Sequence, residues 1–387
     1  MPCRETLVKK YFMLGLQHNE ILLFLKLIHG IKLSLRTLKR IVSKLNLHRR
    51  MNFSNIEDIV KFLEERINGS GQMHGYRWMH LKCIQHGFVV TQDIVRELLN
   101  ILDPDGVALR KRKRLRRRRY HTKGPNALWH MDSYDKLKPF GICINGCIDG
   151  YSRHIVWLRA ASTSSKPEVI AGYYVDSIKI LGGVPETIRS DMGTENKSVE
   201  KLHVALLEIL QPDLGKPAFL YGRSTANQRI ESWWSQLRKQ NMQYWMNLFE
   251  TLKTAGLFSG SFLDKALIQF CFLEIIQNEL DEIALEWNTH KIQKSRNARS
   301  PSGRPIIMYQ MPELYNSKDY LIELPLNGLT DILEQECIRL NCACDQDVFD
   351  LCILFMTEHN YRVTDDPYDA IKLYINLRRN IYEVVDL

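Results

Sequence analysis

A chain of 387 residues, 45% apolar and 25% charged, is long enough for two or three domains with ordinary cores. Its most apolar stretches, ILLFLKLIHGIKL and LIQFCFLEII, are too short or carry charge, and MPCRETLVKK lacks a signal-peptide core, so no membrane association is expected. The net charge is +9, and the nine scattered cysteines fit reduced thiols better than a disulfide framework.

Residues 1–50 read as helical. Ile21, Leu22, Leu25 and Ile28 form one apolar face, Gly30 breaks the helix, and Ser34 can cap a second one in which Leu35, Leu38, Ile41, Val42 and Leu45 recur at helical spacing. The opposite face carries Arg36, Lys39, Arg40 and Lys44. A helix, a short turn and a basic helix make the helix-turn-helix pattern, whose second helix can enter a major groove, so Arg36, Lys39 and Arg40 are candidate DNA contacts. A second helical unit is expected over 51–105. It contains GYRWMHLKCIQHG, then Thr91 as the cap of a helix with Ile94, Val95, Leu98, Leu99 and Leu102.

Nine of the ten residues from Arg110 to Arg119 are basic: Arg110, Lys111, Arg112, Lys113, Arg114, Arg116, Arg117, Arg118 and Arg119. They equal the whole net excess, so a polyanion should meet this linker, 106–123, first. Nuclear targeting fits the same run.

From Thr122 the pattern becomes strand-rich. Strands are expected over 127–133, 140–149 and 153–161, with Asp149-Gly150 at a hairpin. A helix over 166–182, a strand at 186–190, a helix over 197–210, a short strand at 219–221 and a long helix reaching Leu252 follow. That order fits a mixed sheet flanked by helices. A further helix over 262–290 lies in an extension reaching 320, and helical patterns return over 321–387, a tail with no functional reading of its own. Cys342 and Cys344 lack a matching ligand pair for zinc, and His18 and His29 lack a following cysteine pair.

Three acids stand apart in this region. Asp132 lies in ALWHMDSYDKL, where alternation puts it on one strand face with Leu128 and His130; Asp191 ends the strand of ETIRSDMGTEN; Glu231 begins the helix of YGRSTANQRIESWWSQLRKQ. Asp135 and Glu195 are the weaker competitors. Two carboxylates about 4 Å apart repel by roughly 4 kcal/mol at an effective dielectric near 20, a penalty that a divalent cation cancels. Hard oxygen ligands suit Mg²⁺, and paired ions suit in-line displacement at phosphorus. Arg238 falls one face-turn beyond Glu231 and Ser235 and can reach a phosphate, with Arg223 and Lys239 as further candidate DNA contacts.

Asp132, Asp191 and Glu231, with 39 residues between the last two, together with WHMDSYDKL, CINGCIDGYSRHIVWL, IRSDMGTEN and YGRSTANQRIESWW, resemble the DDE core of retroviral-type integrases and related transposases. GYRWMH and PSGRP resemble flanking segments of bacterial insertion-sequence transposases. The resemblance implies a ribonuclease H-like α/β fold over about 124–255, with all-α helix-turn-helix units before it. It also implies a site of two Mg²⁺ ions, with Mn²⁺ as a substitute, held by Asp132, Asp191 and Glu231. The implied activity is cleavage and joining of double-stranded DNA by a homo-oligomer. Two alternatives stay open: a domesticated, catalytically silent nuclear DNA-binding protein, and a ribonuclease H-type nuclease.

Overall fold

The computed structural model describes residues 3–69, 71, 74–110, 122–222, 227–294, 301–325 and 330–385. At the N-terminal end α1 (Arg4–Met13), α2 (His18–Leu27) and α3 (Leu35–Lys44) pack on one another around Val8, Phe12, Ile21, Phe24, Leu25, Leu38 and Ile41. Gly30, at φ +66°, takes the left-handed turn that frees the chain from α2, and the Ser34 hydroxyl accepts the Thr37 amide at 3.1 Å to start α3. Arg36, Lys39 and Arg40 are exposed on α3, opposite the buried Leu38, Ile41 and Val42.

A second helical group follows: α4 (Ile56–Asn68), α5 (Tyr76–Gln85), α6 (Gln92–Leu102) and α7 (Pro104–Arg110). Thr91 caps α6, its hydroxyl accepting the Ile94 amide at 3.3 Å, and Val95 and Leu99 turn inward against Leu63, Met79 and Cys83.

The central sheet is built from β1 (Trp129–Tyr134), β2 (Cys143–Asp149), β3 (Ile155–Ala161), then α8 (Pro167–Leu181), the short β4 (Gly183–Val184), β5 (Ile188–Ser190), α9 (Lys197–Leu210) and β6 (Phe219–Tyr221). Its spatial order is β3-β2-β1-β5-β6; the first three strands are antiparallel, while β5 runs parallel to β1 and β6 parallel to β5. The mixed sheet flanked by helices is the ribonuclease H-like α/β arrangement.

Alternation along β1 separates two apolar layers. Trp129 and Met131 face α8 and α9 with Ile170, Tyr174, Ile178 and Leu206. The other face of the sheet is covered by α10 (Gln228–Leu237), a π-turn (Arg238–Met242), α11 (Gln243–Thr254) and α12 (Phe262–Thr289), with Ile144, Ile148 and Leu158 beneath them. The single long helix expected here is interrupted by that wider turn, which leaves Asn241 and Met242 buried and lets Asn241 donate to Glu279 at 3.0 Å.

Beyond α12 come α13 (Pro305–Gln310), β7 (Ile322–Glu323), which pairs antiparallel with β4, then α14 (Thr330–Gln335), α15 (Gln346–Glu358) and α16 (Pro367–Val385). Val348, Cys352, Phe355, Ala370, Leu373, Tyr374 and Leu377 of the last two helices lie in the same buried cluster as Trp245, Phe249, Phe272 and Ile276. The tail is thus continuous with the apolar layer behind the sheet.

Two ionic nodes attach the N-terminal helices to this body. Lys82 of α5 pairs with Glu286 of α12 at 2.8 Å, both side chains about 5% exposed, and the Trp78 indole donates to the same carboxylate at 2.6 Å. Arg304, just ahead of α13, meets Glu20 of α2 at 3.0 Å and donates to the Gly15 carbonyl at 2.8 Å. No helix among the described residues is long and apolar enough to cross a membrane.

Candidate active site

Asp132 and Asp191 are brought near each other by strand pairing. Trp129 stands opposite Ile188 and His130 opposite Arg189 in parallel register; Asp132 lies two residues further along β1 and Asp191 directly follows β5, so both acids come after the paired stretch. Such strand ends at the centre of an α/β sheet are where ligand sites form.

The helix that carries Glu231 is fixed to the same strand. Asn227, one residue ahead of α10, accepts the His130 Nδ1–H at 2.7 Å through its Oδ1 and donates its Nδ2 to the Met131 carbonyl at 2.9 Å. His130 is fully buried, and burial holds its imidazole down at about 3, so it stays neutral at ordinary pH. An N–H of neutral imidazole then faces the amide oxygen. Arg229 donates to the Gly150 carbonyl at 2.9 Å, tying the first turn of α10 to the β2–β3 hairpin.

Farther along α10, Trp234 points its indole at β1 and donates to Asp132 Oδ2 at 2.9 Å. Room for that ring comes from Gly146, paired with Asp132 across the β1–β2 ladder: a Cβ there would lie 2.7 Å from the Trp234 ring. Ile230, Trp233 and Leu237 are buried alongside, as the inward stripe of the helix requires.

The electrostatics tie the acids together. Burial is the largest cause that raises the Asp132 carboxyl, to about 7; the Trp234 hydrogen bond opposes this, and the charges of Asp191 and Glu231 add to it. Glu231 is raised too, first by burial and then by Asp191, with Lys136 opposing. All three pairs of carboxylates therefore lie within range of each other's charge. Asp191 is held by its own loop: its Oδ1 accepts the Gly193 amide and the Asn196 side-chain amide, each at 3.2 Å.

The donor set is all carboxylate oxygen, from β1, the loop after β5 and the first turn of α10, and ionising Asp132 there is opposed by burial and by the other two acids; that chemistry fits a hard divalent cation. Among the described residues no group of three or more His, Cys, Asp or Glu side chains stands close enough to hold a metal ion.

The competing acids have other engagements. Asp135 is exposed and pairs with Lys138 at 3.4 Å. The Glu195 carboxylate folds back over Gly193, its oxygens near where a Cβ would be. Asp149 is fully buried and accepts from the Asn126, Tyr151 and Ser152 amides and the Ser152 hydroxyl, a turn-building role.

Of the candidate DNA contacts, Arg238 and Lys239 are exposed in the π-turn, Arg238 donating to Gln243 at 3.3 Å. The side chain of Arg110, the residues Lys111, Arg112, Lys113, Arg114, Arg116, Arg117, Arg118 and Arg119, and Arg223 lie outside the described residues. Sequence reasoning missed the Trp234 bond to Asp132 and missed Asn227 as the clamp. Gly146 in the strand word CINGCID was the available signal, since an interior strand glycine marks a close approach.

No curated protein matches the chain. A family model described as "Integrase core domain" matches residues 119–311, the span that holds the whole five-stranded sheet, α8 to α13 and all three acids. Residues 119–311 are thus an integrase core domain, the domain of a family of polynucleotidyl transferases.

Proposed function

We propose that the chain is a DNA integrase or transposase that cuts and joins double-stranded DNA with Asp132, Asp191 and Glu231 as its catalytic acids. The observation that supports this reading is an integrase core domain over residues 119–311 whose sheet carries Asp132 on β1, with Asp191 directly after β5 and Glu231 in the first turn of α10. Inside an integrase core domain, acids with unrelieved repulsion are what a phosphoryl-transfer site needs before its metal arrives.

The three acids would hold two Mg²⁺ ions. When bound, these would supply the Lewis acidity that activates a water or a DNA 3′-hydroxyl and offsets charge building up at phosphorus. The protein's own part is positioning. Asn227 fixes α10 against β1, Trp234 orients the Asp132 carboxylate, and the loop of Gly193 and Asn196 sets Asp191. Arg238 and Lys239, exposed in the π-turn after α10, suit backbone phosphates, and no covalent protein intermediate is required. Arg36, Lys39 and Arg40 of α3 would grip duplex DNA along with the basic run from Arg110 to Arg119 and Arg223, which also supports nuclear targeting. Action on two DNA ends and a target supports a homo-oligomer on DNA.

The test offers the full chain a DNA duplex and an RNA–DNA hybrid of the same sequence, with and without Mg²⁺. Metal-dependent nicking of the duplex, followed by joining of the cut strand to a target, is expected. Cleavage of the hybrid alone would favour a ribonuclease H-type nuclease instead.

A further inference from the structure

A cleft of about 970 Å³ opens where the two N-terminal helical groups meet the end of α12, away from the three acids. Its walls come from the segment after α3 (Leu47, His48, Arg49, Arg50), from α5 and the turn leading to α6, and from His290, Lys291 and Arg304. Five cations, Arg49, Arg50, Arg77, Lys291 and Arg304, line it against one carboxylate, Asp93, which is paired with Arg96 at 3.1 Å.

The cations divide into floor and rim. On the floor, Arg49 donates to the Phe12 and Leu16 carbonyls at 2.6 and 3.1 Å with its guanidinium 4.0 Å from the Phe12 ring centre, and Arg304 is held by Glu20. Burial, and then Arg304, pulls Arg49 down to about 10. His80 is lowered by burial with Arg49 adding to it, and His290 falls to about 4 through burial with Arg304 adding. Burial is the first cause at all three, with the neighbouring arginines adding to it and Glu20 opposing at Arg49. On the rim, Arg50, Arg77 and Lys291 are exposed, and among the described residues they meet no carboxylate.

From this we infer that the cleft binds the phosphate backbone of a single nucleic-acid strand, with Arg50, Arg77 and Lys291 as the phosphate contacts. Cations on three separate segments call for several linked phosphates, not one. The volume lies at the upper end of small-ligand cavities, which suits a few nucleotides of one strand and is too small for a duplex. Half-buried His48 and Phe88, the latter with its ring also packed on Phe62 at 5.2 Å, give the wall aromatic surface for bases, the kind of contact by which single strands are held without sequence reading. The inference rests on the reading of the chain as a DNA-acting protein and adds a second, single-strand contact remote from its acids.

The experiment measures binding of a short single-stranded DNA, the matching duplex and inorganic phosphate to the full chain across a salt series. The comparison is between the wild type, the triple variant Arg50→Ala/Arg77→Ala/Lys291→Ala, and the charge-keeping Arg50→Lys/Arg77→Lys. The triple variant is expected to lose about tenfold or more in single-strand affinity and about 2 from the slope of log affinity against log salt, with duplex binding nearly unchanged. The lysine variant should keep most of the binding, which a merely structural role of these arginines would not predict. Unchanged single-strand binding in the triple variant, loss confined to the duplex, or full competition by millimolar phosphate overturns the inference alone. A wild-type chain that binds neither form of DNA overturns the functional reading as well.

Discussion

Trp234 donates its indole N–H to Asp132 at 2.9 Å, so the helix that carries Glu231 also holds the first acid in place. The bond stabilises the charged form of Asp132 against burial and against two neighbouring carboxylates. Replacing the indole by Trp234→Phe keeps a ring in the core and removes only the donor. Asp132 should then titrate higher still, and the acidic limb of the pH–activity profile should move to higher pH. Loss of the buried bond should cost about 1–3 kcal/mol in denaturant unfolding.

Gly146→Ala should give a related phenotype by a different route. The added Cβ would meet the Trp234 ring at 2.7 Å, and a ring packed between α10 and β2 has little room to retreat. Overpacking of this kind costs about 1–3 kcal/mol, and a displaced indole leaves Asp132 without its donor. Nicking activity should fall severalfold while duplex binding persists, and the lost indole contact should be visible in tryptophan fluorescence.

The metal-free protein should lose stability as pH rises from about 4 to about 7. Asp132 is raised to about 7 in the folded state, so the native form holds this proton more tightly than the unfolded chain does. The favourable term is fully present below the unfolded value and fades as pH climbs to the folded one. At about 1.4 kcal/mol per pH unit the effect is at most about 4 kcal/mol, and partial exposure reduces it. Asp149, buried and raised to about 6, contributes with the same sign. Asp132→Asn should flatten the profile above pH 6 and stabilise the metal-free protein at pH 8; Mg²⁺ should flatten it for the wild type. Chemical unfolding across the pH range checks both.

Breaking the buried pair of Lys82 and Glu286 should undock the second helical group. Lys82→Met leaves Glu286 with the Trp78 indole alone, a carboxylate about 5% exposed without its cation. A cost of about 3–5 kcal/mol is expected, and the double variant Lys82→Met/Glu286→Leu should recover most of it. Limited proteolysis between α3 and α6 should separate the single from the double variant.

The local alphabet made much of this architecture readable. Alternation around Asp132, the Gly182-Gly183 stop of α8, and the Ser34 and Thr91 caps each depend on neighbours within a few residues, and each element appears where the pattern placed it. What stayed hidden depends on chain reversal. The Asn227 bond to the Met131 carbonyl spans 96 residues, Trp78 to Glu286 spans 208, and Arg304 to Glu20 spans 284, and no local pattern encodes such partners. The π-turn at Arg238–Met242 is likewise set by Asn241 reaching Glu279, not by propensity. The tail read as helical from its apolar spacing, but only the packed structure places Phe355 and Tyr374 against α12.

The account turns on one cation-binding site shared by acids that lie far apart in the sequence. Its most direct test measures Mg²⁺-dependent nicking and strand transfer by the wild type, Asp132→Asn, Asp191→Asn and Glu231→Gln, with DNA binding followed in parallel. Each substitution keeps nearly the same size and removes one charge. Activity should fall at least about a hundredfold in every variant, with duplex affinity held within a few-fold, because each loss falls on the transition state. Wild-type activity that survives in any one of the three would contradict the assignment.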